Sequence, residues 1–142
     1  MKKAFTLIEI LVVVTIIGLL TAIGSTSYTQ FNKQARDTKR KTDLENIRMA
    51  LEAYRSNNSY YPSNLSTLTA SGDQYMTTLP TDPLASSQGY VYQYSPSPSG
   101  CTTACSDYTL GAIIELSTAT SCLSGCASGG SCNYCIGPYG SK

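Results

Sequence analysis

The sequence contains no histidine and no tryptophan, and only two phenylalanines beside eleven tyrosines. Without histidine, the most frequent general base of enzymes and the commonest metal ligand are both missing. There is also no nucleophile elbow and no glycine-rich loop of the kind that cradles phosphate. We therefore predict that the protein is not an enzyme and has no catalytic residues and no cofactor.

Positive charge is missing from most of the C-terminal half. No lysine or arginine lies between Arg55 and Lys142, and a region without cations does not offer a basic surface to nucleic acid. The acidic residues of that region are Asp73, Asp82, Asp107 and Glu115. The basic residues cluster earlier, at Lys33, Arg36, Lys39, Arg40 and Lys41. We predict no nucleic-acid partner, and we interpret the nearly all-polar residues 36–43 as a solvated helix face.

The chain is organised around an apolar stretch near its start, residues 5–23, preceded by Met1-Lys2-Lys3-Ala4. As a helix, its roughly 19 residues would be about 28 Å long, which matches the hydrocarbon core of a bilayer. Glu9 lies inside this stretch. A carboxylate there costs about 2.5–3.5 kcal/mol on insertion scales, so Glu9 is predicted to be functional and to need a positive partner.

Three other interpretations of this stretch stay open on composition. A secretory signal peptide has the same basic start and apolar middle, and Ala22-Ile23-Gly24 would serve as its cleavage site. A plain membrane anchor would hold Glu9 near the headgroups. A buried helix of a soluble core is disfavoured, because the stretch has no polar face.

The segment Lys2-Lys3-Ala4-Phe5-Thr6-Leu7-Ile8-Glu9 resembles the class III signal of type IV pilins and of type II secretion pseudopilins. The resemblance implies cleavage between Ala4 and Phe5 by the prepilin peptidase and N-methylation of Phe5 by the same membrane enzyme. It also implies that Glu9, the fifth residue of the mature chain, guides assembly. Ala4 departs from the glycine that the family prefers. The free amine of a neighbouring Phe5 would be the positive partner of Glu9, where water cannot screen the pair.

No proline occurs between residues 5 and 57, so the sequence predicts one helix of roughly 50 residues. Its outer half carries apolar residues three and four apart, a stripe that would pack on a head domain. These residues are Leu44, Ile47, Ala50, Leu51 and Tyr54. Gly18 and Gly24 each weaken the helix by up to ~1 kcal/mol relative to alanine. The resemblance makes both of them candidates for helix unwinding in a filament.

The fold class predicted is α+β, a pilin-like ladle with a long, partly transmembrane N-terminal helix and a small antiparallel sheet head. We expect a leader at 1–4, a filament-core helix half at 5–27, an amphipathic half at 28–57 and a head at 58–142. Within the head we predict a connecting loop over 58–89 with helical turns at 63–68. The candidate strands are 90–94, 107–116 and 131–136, with loops at 95–104 and 117–130.

All cysteines lie in the last third of the chain, at Cys101, Cys105, Cys122, Cys126, Cys132 and Cys135. The spacing of Cys132 and Cys135 is compatible with zinc, but no histidine accompanies it and the flanks are rich in glycine and serine. An even number in an exported, loop-rich segment favours three disulfides and no metal. Fifteen pairings are compatible with the sequence, and a bond from Cys101 to Cys105 would close the loop at 95–104.

These observations predict a structural subunit of an extracytoplasmic helical filament, a type IV pilus, built as a homo-oligomer. The alternatives are a major pseudopilin of a type II secretion system, or a membrane-anchored, disulfide-stapled binding module. The expected partners are the prepilin peptidase/methyltransferase, the membrane and the pilus or secretion assembly machinery. The precursor would cross the inner membrane once with its N-terminus inside. The basic residues after the apolar stretch argue for the opposite orientation. The cysteines and the leader favour the N-terminus inside, and we adopt that orientation.

Overall fold

The computed structural model describes residues 5–70, 74–102, 104–127 and 130–142. The predicted leader, residues 1–4, lies outside the described residues. Contacts divide the chain into two compact units, Met1–Ala35 and Arg36–Lys142, and each is described by itself. The elements are helices α1 (Leu7–Asn58) and α2 (Ala85–Gln88), a 3-10 helix (Leu65–Thr69), and strands β1 (Gln93–Ser97), β2 (Asp107–Ala112), β3 (Leu123–Ala127), β4 (Gly130–Cys132), β5 (Tyr134–Gly137) and β6 (Gly140–Ser141).

Helix α1 is continuous through both glycines that were candidates for unwinding. A Cβ added at Gly18 or Gly24 would meet nothing within 4 Å, so neither glycine is required by packing in the isolated chain. The large apolar side chains between Phe5 and Ile23 are exposed. Among the described residues, α1 is the helix that is long and apolar enough to cross a membrane.

The outer half of α1 packs through the predicted stripe. Leu44, Ile47, Ala50 and Leu51 are buried, and Tyr54 packs against them from the edge. Each fully buried aliphatic side chain contributes about 1.5–3 kcal/mol relative to exposure, so this face fixes the helix to the head. The helix ends at Asn58, and the next residue, Ser59, takes a positive φ of 67°.

The head contains a four-stranded antiparallel sheet in the order β1-β2-β5-β6, and β3 and β4 pair separately as a hairpin. Side chains alternate between the faces of β2. Leu110 and Ala112 are buried in the main core, whereas Gly111 points to the other face. A Cβ added at Gly111 would lie 2.7 Å from Cys132 Sγ, so the β3–β4 hairpin lies directly on this second face.

The α+β class with an antiparallel sheet is confirmed, but the predicted strand 107–116 ends at Ala112, and three further predictions need correction. β1 begins at Gln93 rather than at 90, because the Val91 N–H donates to the Cys126 carbonyl (2.8 Å) instead of pairing with β2. The predicted strand 131–136 is divided between β4 and β5. The break is at Asn133, whose side chain binds the backbone N–H and carbonyl of Ile114. The predicted loop 117–130 contains β3.

The structure contains three disulfides, as predicted. They join Cys101 to Cys105, Cys122 to Cys135 and Cys126 to Cys132. Every cysteine is paired, so none is left to bind zinc as a thiolate. Cys126, Cys132 and Cys135 form a small second core with Ile113 and Leu123 against them. The head therefore has one main apolar core and one built largely from disulfide sulfur.

Candidate functional site

The N-terminus of α1 holds Glu9, the residue predicted to guide assembly. Thr6 precedes the first helical residue, and its backbone N–H donates to Glu9 Oε2 (2.9 Å). The Thr6 hydroxyl donates to the same oxygen (2.7 Å), and the Glu9 N–H points back at Thr6 Oγ1 (3.4 Å). This arrangement is a capping box, in which two side chains satisfy the free N–H groups of a helix end. The spacing Thr6-x-x-Glu9 is typical of a capping box, but the sequence-based expectations did not include one.

The capping box gives Glu9 a local partner in the isolated chain. Both Thr6 donors bind Oε2, and no hydrogen bond to Oε1 is present among the described residues. Phe5 lies directly before the cap and is 82 % exposed. Its predicted cleavage partner, Ala4, is outside the described residues. The Glu9 carboxylate and the exposed Phe5 thus lie within one turn of each other. The assembly role of Glu9 stays a prediction.

A second charged cluster surrounds Arg40 in the other unit. Arg40 is 0 % exposed, and its Nε donates to Asp82 Oδ2 (2.7 Å). Its Nη1 donates to Asp37 Oδ1 (2.7 Å) and to Glu115 Oε1 (2.9 Å). Arg36 forms a bidentate salt bridge with Glu115, in which both N···O distances are 2.7 Å. We call these five residues the Arg40 cluster.

The Arg40 cluster corrects the interpretation of residues 36–43 as a solvated face, because one side of this segment is buried. Asp37, Arg40 and Asp43 are buried there, because other parts of the head supply their partners. Asp37 accepts the backbone N–H groups of Glu115 (2.9 Å) and Leu116 (3.0 Å). The hydroxyl of Tyr92 donates to Asp43 Oδ2 (2.8 Å). One side of this segment is therefore a packed face whose polar groups are paired, whereas Thr38, Lys39, Lys41 and Thr42 are exposed on the other side.

Mutual pairing holds Arg40 and Glu115 in their charged forms. Burial alone would lower the pKa of the Arg40 guanidinium, but hydrogen bonds to Asp82 and Glu115 outweigh it and raise that pKa. Hydrogen bonds from Arg36 lower the pKa of the Glu115 carboxyl from 4.5 to about 2, against the opposing effect of burial. Groups fixed in one charge state at neutral pH are suited to holding segments together rather than to moving protons.

The described residues contain no group of three or more histidine, cysteine, aspartate or glutamate side chains placed to hold a metal ion. The Asp107 carboxylate accepts a hydrogen bond from Lys142 Nζ (2.9 Å). Lys142 also donates to the Tyr108 carbonyl (2.8 Å), so this carboxylate ties the C-terminal residue to β2.

Comparison with known families gives two adjoining matches. Residues 1–25 match the prokaryotic N-terminal methylation motif, and residues 27–111 match the family described as type II secretion system (T2SS), protein G. The second match covers the outer half of α1 and the head as far as β2. No solved structure matches the chain.

Individual relatives carry two kinds of name. The type II secretion system core protein G of Pseudomonas aeruginosa is 36 % identical over 107 residues, which cover 66 % of this chain and 72 % of that protein. The Vibrio cholerae protein of the same name is 33 % identical over 58 % of this chain and 53 % of its own length. The type IV major pilin protein PilA of Myxococcus xanthus is 34 % identical over 42 % of this chain and 27 % of its own length. The chain therefore belongs to the protein G family of type II secretion systems, within the pilins and pseudopilins, whose members are structural filament subunits and not enzymes.

Proposed function

We propose that this chain is the major pseudopilin of a type II secretion system, the repeating subunit of its helical pseudopilus. The observation that carries the proposal is the extent of the protein G match, which runs over residues 27–111. The relatives named as a type IV major pilin and as a fimbrial protein align over only 42 % and 45 % of the chain. The comparisons thus favour the pseudopilus, which the sequence had left as an alternative, over the type IV pilus.

Maturation begins at the membrane. The prepilin peptidase cuts between Ala4 and Phe5, and Phe5 is then N-methylated. The methylation-motif match over residues 1–25 and the exposed position of Phe5 beside the cap of α1 support this step. The subunit is held with its N-terminus inside and its disulfide-bonded head outside the cytoplasm, where disulfides persist. The secretion assembly machinery then extracts it into the filament.

Assembly relies on the apolar half of α1 and on Glu9. The apolar side chains between Phe5 and Ile23 are exposed in the isolated chain, so neighbouring copies of α1 bury them in the filament core. The Phe5 amine of one subunit meets the Glu9 carboxylate of the next, away from water. Thr6 holds Glu9 at the helix end until that amine arrives.

Genetic replacement tests this function. In a strain lacking the native gene, wild-type chain should restore protein secretion, whereas Glu9→Gln should be processed and inserted but should not polymerise. Leaving the neighbouring Phe5 amine buried and unpaired costs about 3–5 kcal/mol, which corresponds to roughly two to three and a half orders of magnitude in incorporation. Glu45→Gln is the matched control, since Glu45 is a half-exposed helix acid paired with Arg48, and it should behave like wild type.

Two readouts distinguish the candidates. Secreted enzymes should accumulate inside cells that lack the gene, while surface pili are unchanged. Loss of pili with normal secretion would contradict the pseudopilus and support the type IV pilus. Wild-type fibre formation by Glu9→Gln would remove Glu9 from the assembly mechanism.

A further inference from the structure

The three disulfides differ in how far solvent reaches them. Cys126 and Cys132 are both 0 % exposed, so their bond is enclosed on both sides. The bond from Cys122 to Cys135 has one exposed end, at Cys122, and one buried end, at Cys135. A thiolate attacks a disulfide at one sulfur atom, so exchange with an external thiol has an entry point at Cys122 and none at the enclosed bond.

The enclosed bond is covered by the β3–β4 hairpin lying on the sheet. Its Cys132 sulfur occupies the space left by the missing side chain of Gly111, where an added Cβ would lie 2.7 Å from Cys132 Sγ. Among the described residues, Ile113 and Leu123 contribute the further apolar contact to this second core. Such a small apolar area holds a hairpin weakly. The covalent bond between Cys122 and Cys135 joins β5 of the sheet to the segment that enters the hairpin.

We propose that the Cys122–Cys135 disulfide is a latch. It is the last of the hairpin's two bonds to form and the first to be reduced, and Cys122 is the sulfur that exchanges with a disulfide-bearing thiol oxidase. Closing the latch fixes the hairpin over the Cys126–Cys132 bond and removes that bond from further exchange. The enclosed bond must therefore be made before the head is complete.

The closing reaction balances by thiol–disulfide exchange. The Cys122 thiolate attacks the oxidant's disulfide, forms a mixed disulfide and releases one oxidant thiolate. The Cys135 thiolate then attacks the Cys122 sulfur, forms the latch and releases the second oxidant thiolate. Two electrons pass to the oxidant, which ends as a dithiol and takes up the two protons that the cysteines lose.

Limited reduction of native, full-length protein in detergent micelles tests the latch, with dithiothreitol as the probe. Free thiols are alkylated at intervals and each bond is followed by mass spectrometry. We expect Cys122–Cys135 to open at least about tenfold faster than Cys126–Cys132. Equal rates, or earlier opening of Cys126–Cys132, would overturn the proposal. The test requires no filament, so its result is independent of the proposed function.

A double variant tests whether the latch protects the enclosed bond. A cross-link that closes a loop with a sequence separation of 13 shifts an opening equilibrium by on the order of a hundredfold through chain entropy. Cys122→Ser with Cys135→Ala should therefore speed reduction of Cys126–Cys132 at least about tenfold. The matched control is Cys101→Ser with Cys105→Ala, which removes the disulfide outside the hairpin and should leave that rate unchanged. An unchanged rate in the first variant, or an equal acceleration in both, would contradict the latch.

Discussion

Arg40 is a guanidinium enclosed by carboxylates from three parts of the chain. Asp37 lies one turn away on α1, Asp82 lies between two prolines, and Glu115 follows β2. Surface ion pairs contribute little to stability, but breaking a buried pair costs about 3–5 kcal/mol, because a charge is left without a partner. Arg40 therefore fixes two loops of the head to α1.

Glu115 makes this cluster sensitive to acid. Its pKa is lowered from 4.5 to about 2 in the fold, mainly by hydrogen bonds from Arg36. A group whose folded pKa is depressed stabilises the protein above its unfolded pKa, and that contribution is lost as pH falls from 4.5 towards 2. We expect Glu115→Gln to be less stable than wild type by on the order of 2–3 kcal/mol at pH 7.

Chemical denaturation of the full chain in micelles, followed by tyrosine fluorescence, measures this difference. The gap between wild type and Glu115→Gln should close as pH falls from 4.5 to about 2. Glu45→Gln, at a half-exposed acid, should show little gap at any pH. A gap for Glu115→Gln that does not change with pH would contradict the role given to this carboxylate.

Gly111 is the residue where the sheet and the hairpin approach most closely. An alanine Cβ there would lie 2.7 Å from Cys132 Sγ and 2.9 Å from Cys132 Cβ, so Gly111→Ala must displace the hairpin. We expect a loss of about 1–3 kcal/mol in unfolding free energy and faster amide exchange in β3 and β4. Gly24→Ala, where an added Cβ meets nothing within 4 Å, is the control. Unaltered exchange in the hairpin of Gly111→Ala would count against this packing.

At the scale of elements, local patterns predicted α1 well and the strands less well. A proline-free run and apolar residues three and four apart define α1 up to Asn58, and both signals are read within a few residues. The strand bounds depend on distant partners. Val91 bonds to Cys126, so aromatic alternation at 90–94 did not reveal where β1 begins. Asn133 binds Ile114, so the run 131–136 did not reveal the break between β4 and β5.

The same distinction separates the two charged sites. Thr6 and Glu9 are three positions apart, so their cap could have been predicted from its spacing. The Arg40 cluster could not, since Arg40 is 42 residues from Asp82 and 75 from Glu115. Nothing local distinguishes such an arginine from a solvated one. The only hints were an aspartate between two prolines and a single glutamate in the head.

Helix α1 also gives a prediction about unwinding. Gly18→Ala with Gly24→Ala introduces no clash and should strengthen the helix by up to ~1 kcal/mol per site in micelles. If the filament unwinds α1 at these glycines, the same variant should form fewer fibres. Circular dichroism of the subunit and the yield of sheared fibres measure the two effects. A wild-type yield of fibres would show that α1 stays helical on assembly.

At the scale of the whole molecule, exposed apolar surface and paired charge are separated along the sequence. Most of the large exposed apolar side chains lie between Phe5 and Phe31. In the head, Asp82, Asp107 and Glu115 are each bound by a cation of the same chain. The exposed apolar side chains of the first half of α1 are satisfied by lipid or by neighbouring copies. This distribution fits a subunit that associates through α1.

The most direct test is the intact mass of the subunit recovered from assembled fibres. We predict a chain that begins at Phe5, carries one methyl group on its amine and has all six cysteines in disulfides. This result would join cleavage, methylation and polymerisation in one molecule. Assembled protein that retains Met1, or that begins after Gly24 as a secretory signal would require, would contradict the account.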